Sequence, residues 1–123
     1  MFPFFRNIVV NKLDYSVLLK CRSLISKLRS FWLRPQFSKM GNHTIFEKTG
    51  YLKGLKYISI GDNVHFDSMI FLTAWDRFAG ETFSPRISIG DNCSFGAFNH
   101  ITSINKIIIG DGCLVGKFVT ISD

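Results

Sequence analysis

The sequence predicts a mainly β protein built by stacking short coils, with a helical segment ahead of it. Three observations predict this. Ile58 to Asn63 reads Ile-Ser-Ile-Gly-Asp-Asn, Ile87 to Asn92 reads the same, and Ile107 to Gly112 reads Ile-Ile-Ile-Gly-Asp-Gly. The residues after each copy are patterned too: Val64, Phe66, Ile70 and Leu72; Cys93, Phe95, Asn99 and Ile101; Cys113, Val115, Val119 and Ile121. They advance in steps of four and two, a six-residue period that neither a helix nor a plain strand produces. Finally, the copies at Ile89 and Ile109 stand 20 residues apart, as do Met40 and Ile60, where a weaker copy begins with Gly41, Thr44, Phe46, Gly50 and Leu52.

Short strands separated by sharp corners give such a period, and three of them make one triangular coil of about 18 residues. Gly and Asn after the isoleucine are expected to supply the corner, because both tolerate a left-handed backbone. Like positions then stack into ladders: Ile60, Ile89, Ile109; Val64, Cys93, Cys113; Phe66, Phe95, Val115. No coil buries its own faces alone, so the stack stands or falls together.

From 40 to 123 this pattern resembles the hexapeptide-repeat acyltransferases, left-handed parallel β-helix enzymes that include the galactoside, maltose and serine O-acetyltransferases. It is most similar to the sugar O-acetyltransferases of bacterial polysaccharide gene clusters. The resemblance implies a left-handed parallel β-helix of about four coils, the last incomplete, following an N-terminal α-helical segment. It also implies an O-acetyltransferase that moves acetyl from acetyl-CoA to a sugar hydroxyl and assembles as a homotrimer.

Residues 1–39 form a separate basic amphipathic segment. Residues 1–40 carry a net charge of +7 and the remainder −1, so the whole basic excess sits in the first third. Asp14-Tyr15-Ser16 reads as a helix start and Pro35 as its stop. Val17, Cys21, Leu24, Leu28, Phe31 and Trp32 come next at helical spacing, with Lys20, Lys27, Arg34, Arg22 and Arg29 off that stripe. One use for such a helix is peripheral contact with an anionic membrane surface. The other is to cap the first coil with its charges solvated, and the need to cover an open sheet edge favours the cap. The basic residues belong to no nucleic-acid-binding motif. The opening Phe-Pro-Phe-Phe is cut by Arg6 with no small-residue cleavage site after it, and there is no membrane-spanning apolar run. A cytoplasmic location is expected.

The three cysteines, Cys21, Cys93 and Cys113, form no Cys-x-x-Cys, and the last two share an inward ladder, so they read as small core thiols. His43, His65 and His100 are the only histidines. His65 and His100 fall on different faces, so no metal is expected.

The coil from Ile60 to Ile89 runs 29 residues, and the excess is a loop insertion at 74–86. Insertions of this kind often build the binding face of a repeat fold. Trp75 is a candidate to stack on a sugar ring, and Asp76 or Arg77 to accept from or donate to its hydroxyls; equally, Trp75 and Phe78 could pin the loop to its own coil or to a neighbouring subunit. Asn99 is a polar residue on an inward ladder, so it is either hydrogen-bonded structure or a ligand contact. The resemblance implies an acceptor-binding Asn in the Phe98-Asn99 motif and an acidic residue shortly after it. At that second position this chain has Ile104 and Asn105, so Asn105 is the weaker candidate.

Acetyl transfer needs a histidine as general base and backbone N–H groups as an oxyanion hole. The resemblance implies a catalytic histidine shortly after Val-Thr-Ile-x-Asp, which here is Val119 to Asp123, the last residue. The expectation is therefore a catalytically incomplete chain whose base lies beyond Asp123, with His100 the candidate within it. Two other readings stay open. A non-catalytic trimerisation or partner-binding module would use the outward Phe71, Phe98 and Phe118, and acetyl transfer to serine or another small molecule would use Asp76 and Glu81 for an amino group.

Overall fold

The computed structural model describes residues 2–123, and side chains from Val17 onward. After helix α1 (Phe2–Leu33) the chain winds round three faces. The first circuit places β1 (Lys39–Met40), β2 (Ile45–Phe46) and β3 (Tyr51–Lys53); the second places β4 (Ile58–Ile60), β5 (His65–Phe66) and β6 (Phe71–Ala74). The hairpin β7 (Arg77–Phe78) and β8 (Glu81–Thr82) then leaves the stack. The third circuit returns with β9 (Arg86–Ile89), β10 (Ser94–Phe95) and β11 (His100–Ser103), and the fourth with β12 (Lys106–Ile109), β13 (Leu114–Val115) and β14 (Thr120–Ser122). Like strands pair in parallel, giving three four-stranded sheets ordered β1-β4-β9-β12, β2-β5-β10-β13 and β3-β6-β11-β14. The fold is thus a parallel β-helix with one long helix.

The register is the one the six-residue period demands. Ile60 lies beside Ile89, Phe66 beside Phe95 and Leu72 beside Ile101. Phe37, Phe46, Phe66 and Phe95 stack up the axis with ring centroids 5.5, 4.3 and 4.9 Å apart in turn. Stacked rings and buried isoleucines make the core, each large side chain contributing about 1.5–3 kcal/mol on burial. On the neighbouring ladder the hydrogen-bonding members reach up to the next circuit. Thr44 Oγ1 donates to Gly61 O at 2.7 Å and Cys93 Sγ to Gly110 O at 3.1 Å. Burial pushes the Cys93 thiol above its ordinary range and keeps it a donor.

The Gly-Asp-Asn corners work differently from the sequence expectation. Asn63, Asn92 and Gly112 do take the left-handed conformation, with φ of 56°, 58° and 71°. Gly61 and Gly90 do not; they are glycine because the next circuit passes too close. A Cβ on Gly61 would meet Asp91 Oδ1 and lie 2.8 Å from the Gly90 carbonyl carbon. The aspartates form a ladder of their own: Asp62, Asp91 and Asp111 each accept, at 2.7 Å, the backbone N–H of the residue below, from Asn42, Asp62 and Asp91. The opposite corner puts bulky Met69, Phe98 and Phe118 at φ near 60°, an unfavourable region for such side chains. There Phe98 and Phe118 stack outside the coil at 5.2 Å.

The helix departs furthest from expectation. It runs through Asp14 without a start there. It does lie over the first circuit, against β2, but by its other face. Ser26 and Ser30 are 3% and 5% exposed, while Val17, Cys21, Leu24, Leu28, Phe31 and Trp32 all face solvent. The reason is the edge strand, whose backbone groups must be met. Phe46 N–H donates to Ser30 Oγ at 2.9 Å, Arg29 Nη1 donates to Phe46 O at 3.3 Å, and Ser26 Oγ donates to Glu47 Oε2 at 2.7 Å. Leucine could offer none of these bonds. Among the described residues, no helix is long and apolar enough to cross a membrane.

Candidate functional site

Strands β3, β6, β11 and β14 turn alternate residues outward, so two columns run up their outer face. One holds Tyr51, Phe71, His100 and Thr120; the other holds Lys53, Thr73, Thr102 and Ser122. The His100 ring stacks on Phe71 with centroids 4.4 Å apart, and Thr73 Oγ1 donates to Thr102 Oγ1 at 2.8 Å. His100 and Thr102 are two residues apart on one strand, about 6.6 Å.

The insertion closes one side of this face. Its Ala79 and Gly80 take φ of 52° and 80°, the pair of positive angles that a two-residue turn of this hand needs, and Arg77 and Phe78 pair antiparallel with Thr82 and Glu81. The segment expected as a loop is therefore a hairpin, held at its base by Phe83 N–H donating to Asp76 O at 2.7 Å. Trp75 and Phe78 meet edge to face at 6.2 Å. With Thr102 and Ile104 they line an apolar depression of about 270 Å³. On the hairpin's other side, Tyr57, Asp76, Arg77, Thr82 and Phe83 line an open cleft of about 470 Å³. There Tyr57 Oη donates to Asp76 Oδ2 at 3.0 Å.

Each residue singled out from the sequence has a definite place. Trp75 and Asp76 stand at the root of the hairpin, and both already have partners. The Lys53 ammonium lies 3.5 Å from the centre of the Trp75 ring, so one face of the indole is taken. Asn105 is exposed beyond Ile104, beside the apolar depression. Its backbone N–H and those of Ile104 and Lys106 converge with Ser103 Oγ on the Asp123 carboxylate. Desolvation pushes the Asp123 pKa up, yet the hydrogen bonds from Ile104, Ser103, Lys106 and Asn105 outweigh it and hold the carboxyl below its ordinary value.

Of the two places open to Asn99 from the sequence, it takes the hydrogen-bonded one. It is 1% exposed and lies inside the coil, where Oδ1 accepts from Val119 N–H at 2.8 Å. Its Nδ2 has no hydrogen-bond partner. His65 lies on another sheet, 3.4 Å from Glu47, and among the described residues no three His, Cys, Asp or Glu side chains come together to hold a metal.

Sequence reasoning missed Lys53, Tyr57 and the Thr73–Thr102 pair. Counting the ladders for outward as well as inward positions puts Lys53, Thr73 and Thr102 in one row, so that signal was present. Nothing in the spacing foretells Tyr57 reaching Asp76, because the contact depends on where the hairpin emerges.

The model of the hexapeptide repeat of succinyl-transferase matches residues 86–98 and 106–122. The chain carries hexapeptide repeats. The matched stretches cover β9 and β10 of the third circuit and β12 to β14 of the fourth, leaving out the His100 strand between them. No curated protein and no solved structure matches the chain.

Proposed function

We propose that the chain is an acyltransferase of the hexapeptide-repeat type, built on a left-handed β-helix, that moves acetyl from acetyl-CoA to a sugar hydroxyl in polysaccharide synthesis. The observation that carries this reading is the repeat match on the third and fourth circuits, the third of which brings Thr102 and His100 to the outer face. That face offers an acceptor sugar an apolar floor from Trp75, Phe78 and Ile104 and a hydroxyl at Thr102, while the cleft across the hairpin holds a carboxylate at Asp76 with Tyr57 beside it. A homotrimer with sites between subunits would enclose it.

In the reaction a base removes the proton of the sugar hydroxyl while its oxygen attacks the thioester carbonyl carbon. The C–S bond breaks, and the CoA sulfur takes the proton back from the base. Backbone N–H groups stabilise the oxyanion between these events. His100 lines the acceptor face rather than serving as this base. Among the described residues no hydrogen bond fixes its ring, and a general base works when a third group orients it.

Free-thiol release from acetyl-CoA with a panel of sugars, measured on the full gene product, tests the reading. Sugar-dependent turnover is expected, with Trp75→Ala raising KM for the sugar about tenfold or more while kcat changes less. His100→Asn is expected to lower turnover by less than about tenfold; a loss of about 100- to 10,000-fold would make His100 the base. A protein that oligomerises yet consumes no acetyl-CoA with any acceptor would instead be a binding or trimerisation module.

A further inference from the structure

The helix leaves its apolar stripe unused, and the charges beside that stripe identify what covers it. At 100° per residue, Ser26 and Ser30 centre the face that meets β2. Diametrically opposite run Val17, Leu24, Leu28, Phe31 and Trp32, all more than half exposed, with Phe31 and Trp32 at 71% and 73%. Lys20, Lys27 and Arg34 recur every seven residues along one border of this stripe, and Arg22 and Arg29 along the other. The two borders differ. The arginine border is drawn toward the coil, Arg29 to Phe46 O and Arg22 Nε to 3.9 Å from Glu47 Oε2, whereas Lys20 and Lys27 are exposed.

We infer that residues 17–34 lay this stripe in the surface of an anionic lipid bilayer, holding the β-helix against the membrane with α1 parallel to it. The chemistry singles out that partner. Between Val17 and Arg34 there is no acidic side chain, so the same face of a second copy would bring cations against cations. Among the described side chains, the carboxylate that meets this part of the helix is Glu47, and it is already bonded by Ser26. An apolar stripe with Phe and Trp at its end and cations on both borders matches the layered chemistry of a bilayer interface, with acyl chains below and anionic headgroups at the sides. Each free cation then adds attraction to the anionic surface while the stripe supplies apolar burial. Among the described residues, no helix is long and apolar enough to cross the bilayer. Because the serine face makes the contact with the coil, binding needs no undocking of the helix. This inference stands apart from the acyl-transfer reading.

Vesicle co-sedimentation of the full chain tests it, comparing phosphatidylcholine vesicles with vesicles in which about one third of the lipid is phosphatidylglycerol. Pelleting with the anionic vesicles, weakened by salt and at least about tenfold poorer with phosphatidylcholine alone, is expected. Lys20→Glu with Lys27→Glu is expected to weaken it by about tenfold or more. Phe31→Ser with Trp32→Ser is expected to abolish it while leaving the circular dichroism and the urea midpoint unchanged, since both side chains are exposed. In a Trp75→Phe variant, Trp32 is the sole tryptophan, and its emission is expected to shift to the blue on adding anionic vesicles. Equal pelleting with both lipids, or a Trp32 emission that does not move, would overturn the inference. So would an oligomer that the Phe31 and Trp32 substitutions dissociate in the absence of vesicle binding, which would give the stripe to a second copy.

Discussion

The interior of the coil and the docked face of the helix bury opposite kinds of side chain. Inside the coil, Phe46, Phe66 and Phe95 fill the axis, and backbone groups are met by the neighbouring circuit through strand pairing. With hydrogen bonding settled, apolar area decides which residues go in. Under the helix the order reverses. Strand β2 has no further strand below it, and its free N–H and C=O are met by Ser30 and Arg29. An unmet buried amide costs about 1–3 kcal/mol, and exposing a leucine forgoes a comparable amount, so local geometry decides between them. Here it decides for serine, and the leucines remain outside.

That contrast can be broken at several points. Phe66→Ala, in the middle of the aromatic stack, should show the largest effect, a loss of about 3–5 kcal/mol in urea unfolding. A loss below about 1 kcal/mol would mean that the stack is not what holds the circuits together. Gly61→Ala should lose about 1–3 kcal/mol, since the added carbon meets the backbone of the next circuit. Gly110→Ala is its control, with nothing within 4 Å of the new carbon, and should be close to neutral. Equal effects would remove the close-approach explanation of the glycines. Asp91→Ala leaves the Asp62 N–H without its acceptor at an exposed corner and should lose about 1 kcal/mol.

The smallest effect is a local one with pH. The Asp123 carboxyl is held below its ordinary value by the turn at 103–106. A depressed pKa in the folded state means that this tie is intact at neutral pH and is lost as pH falls through the lowered value. An NMR titration should place the Asp123 midpoint below 3.8, with the Ile104 and Asn105 amides moving in step with it. A midpoint above 3.8 would show that desolvation wins over the hydrogen bonds.

Much of the coil was legible because its period is repeated. Ile60 and Ile89, or Phe66 and Phe95, can be paired by counting, and the register obeys that count. The roles of single corner residues were less legible. Gly61 reads like any turn glycine, yet what it answers to is Asp91, 30 residues later and one circuit up. Asn99 shows the same limit: the sequence marks it as an exception on an inward ladder, but only the fold turns it toward Val119 and away from solvent. The candidate site was half legible. Trp75 and Asp76 stand out within an insertion, whereas Lys53 and Tyr57 join them from the preceding circuit. The helix misled because its apolar periodicity is genuine and describes a face that the coil does not use.

The most direct test of the serine-face docking compares two adjacent helix residues. Urea unfolding of Ser30→Ala and Phe31→Ser should show the serine variant losing about 1–3 kcal/mol and the phenylalanine variant changing by no more than about 0.5 kcal/mol. The reverse order, with Phe31→Ser strongly destabilising and Ser30→Ala neutral, would put the apolar stripe against the coil and contradict the docking described for α1.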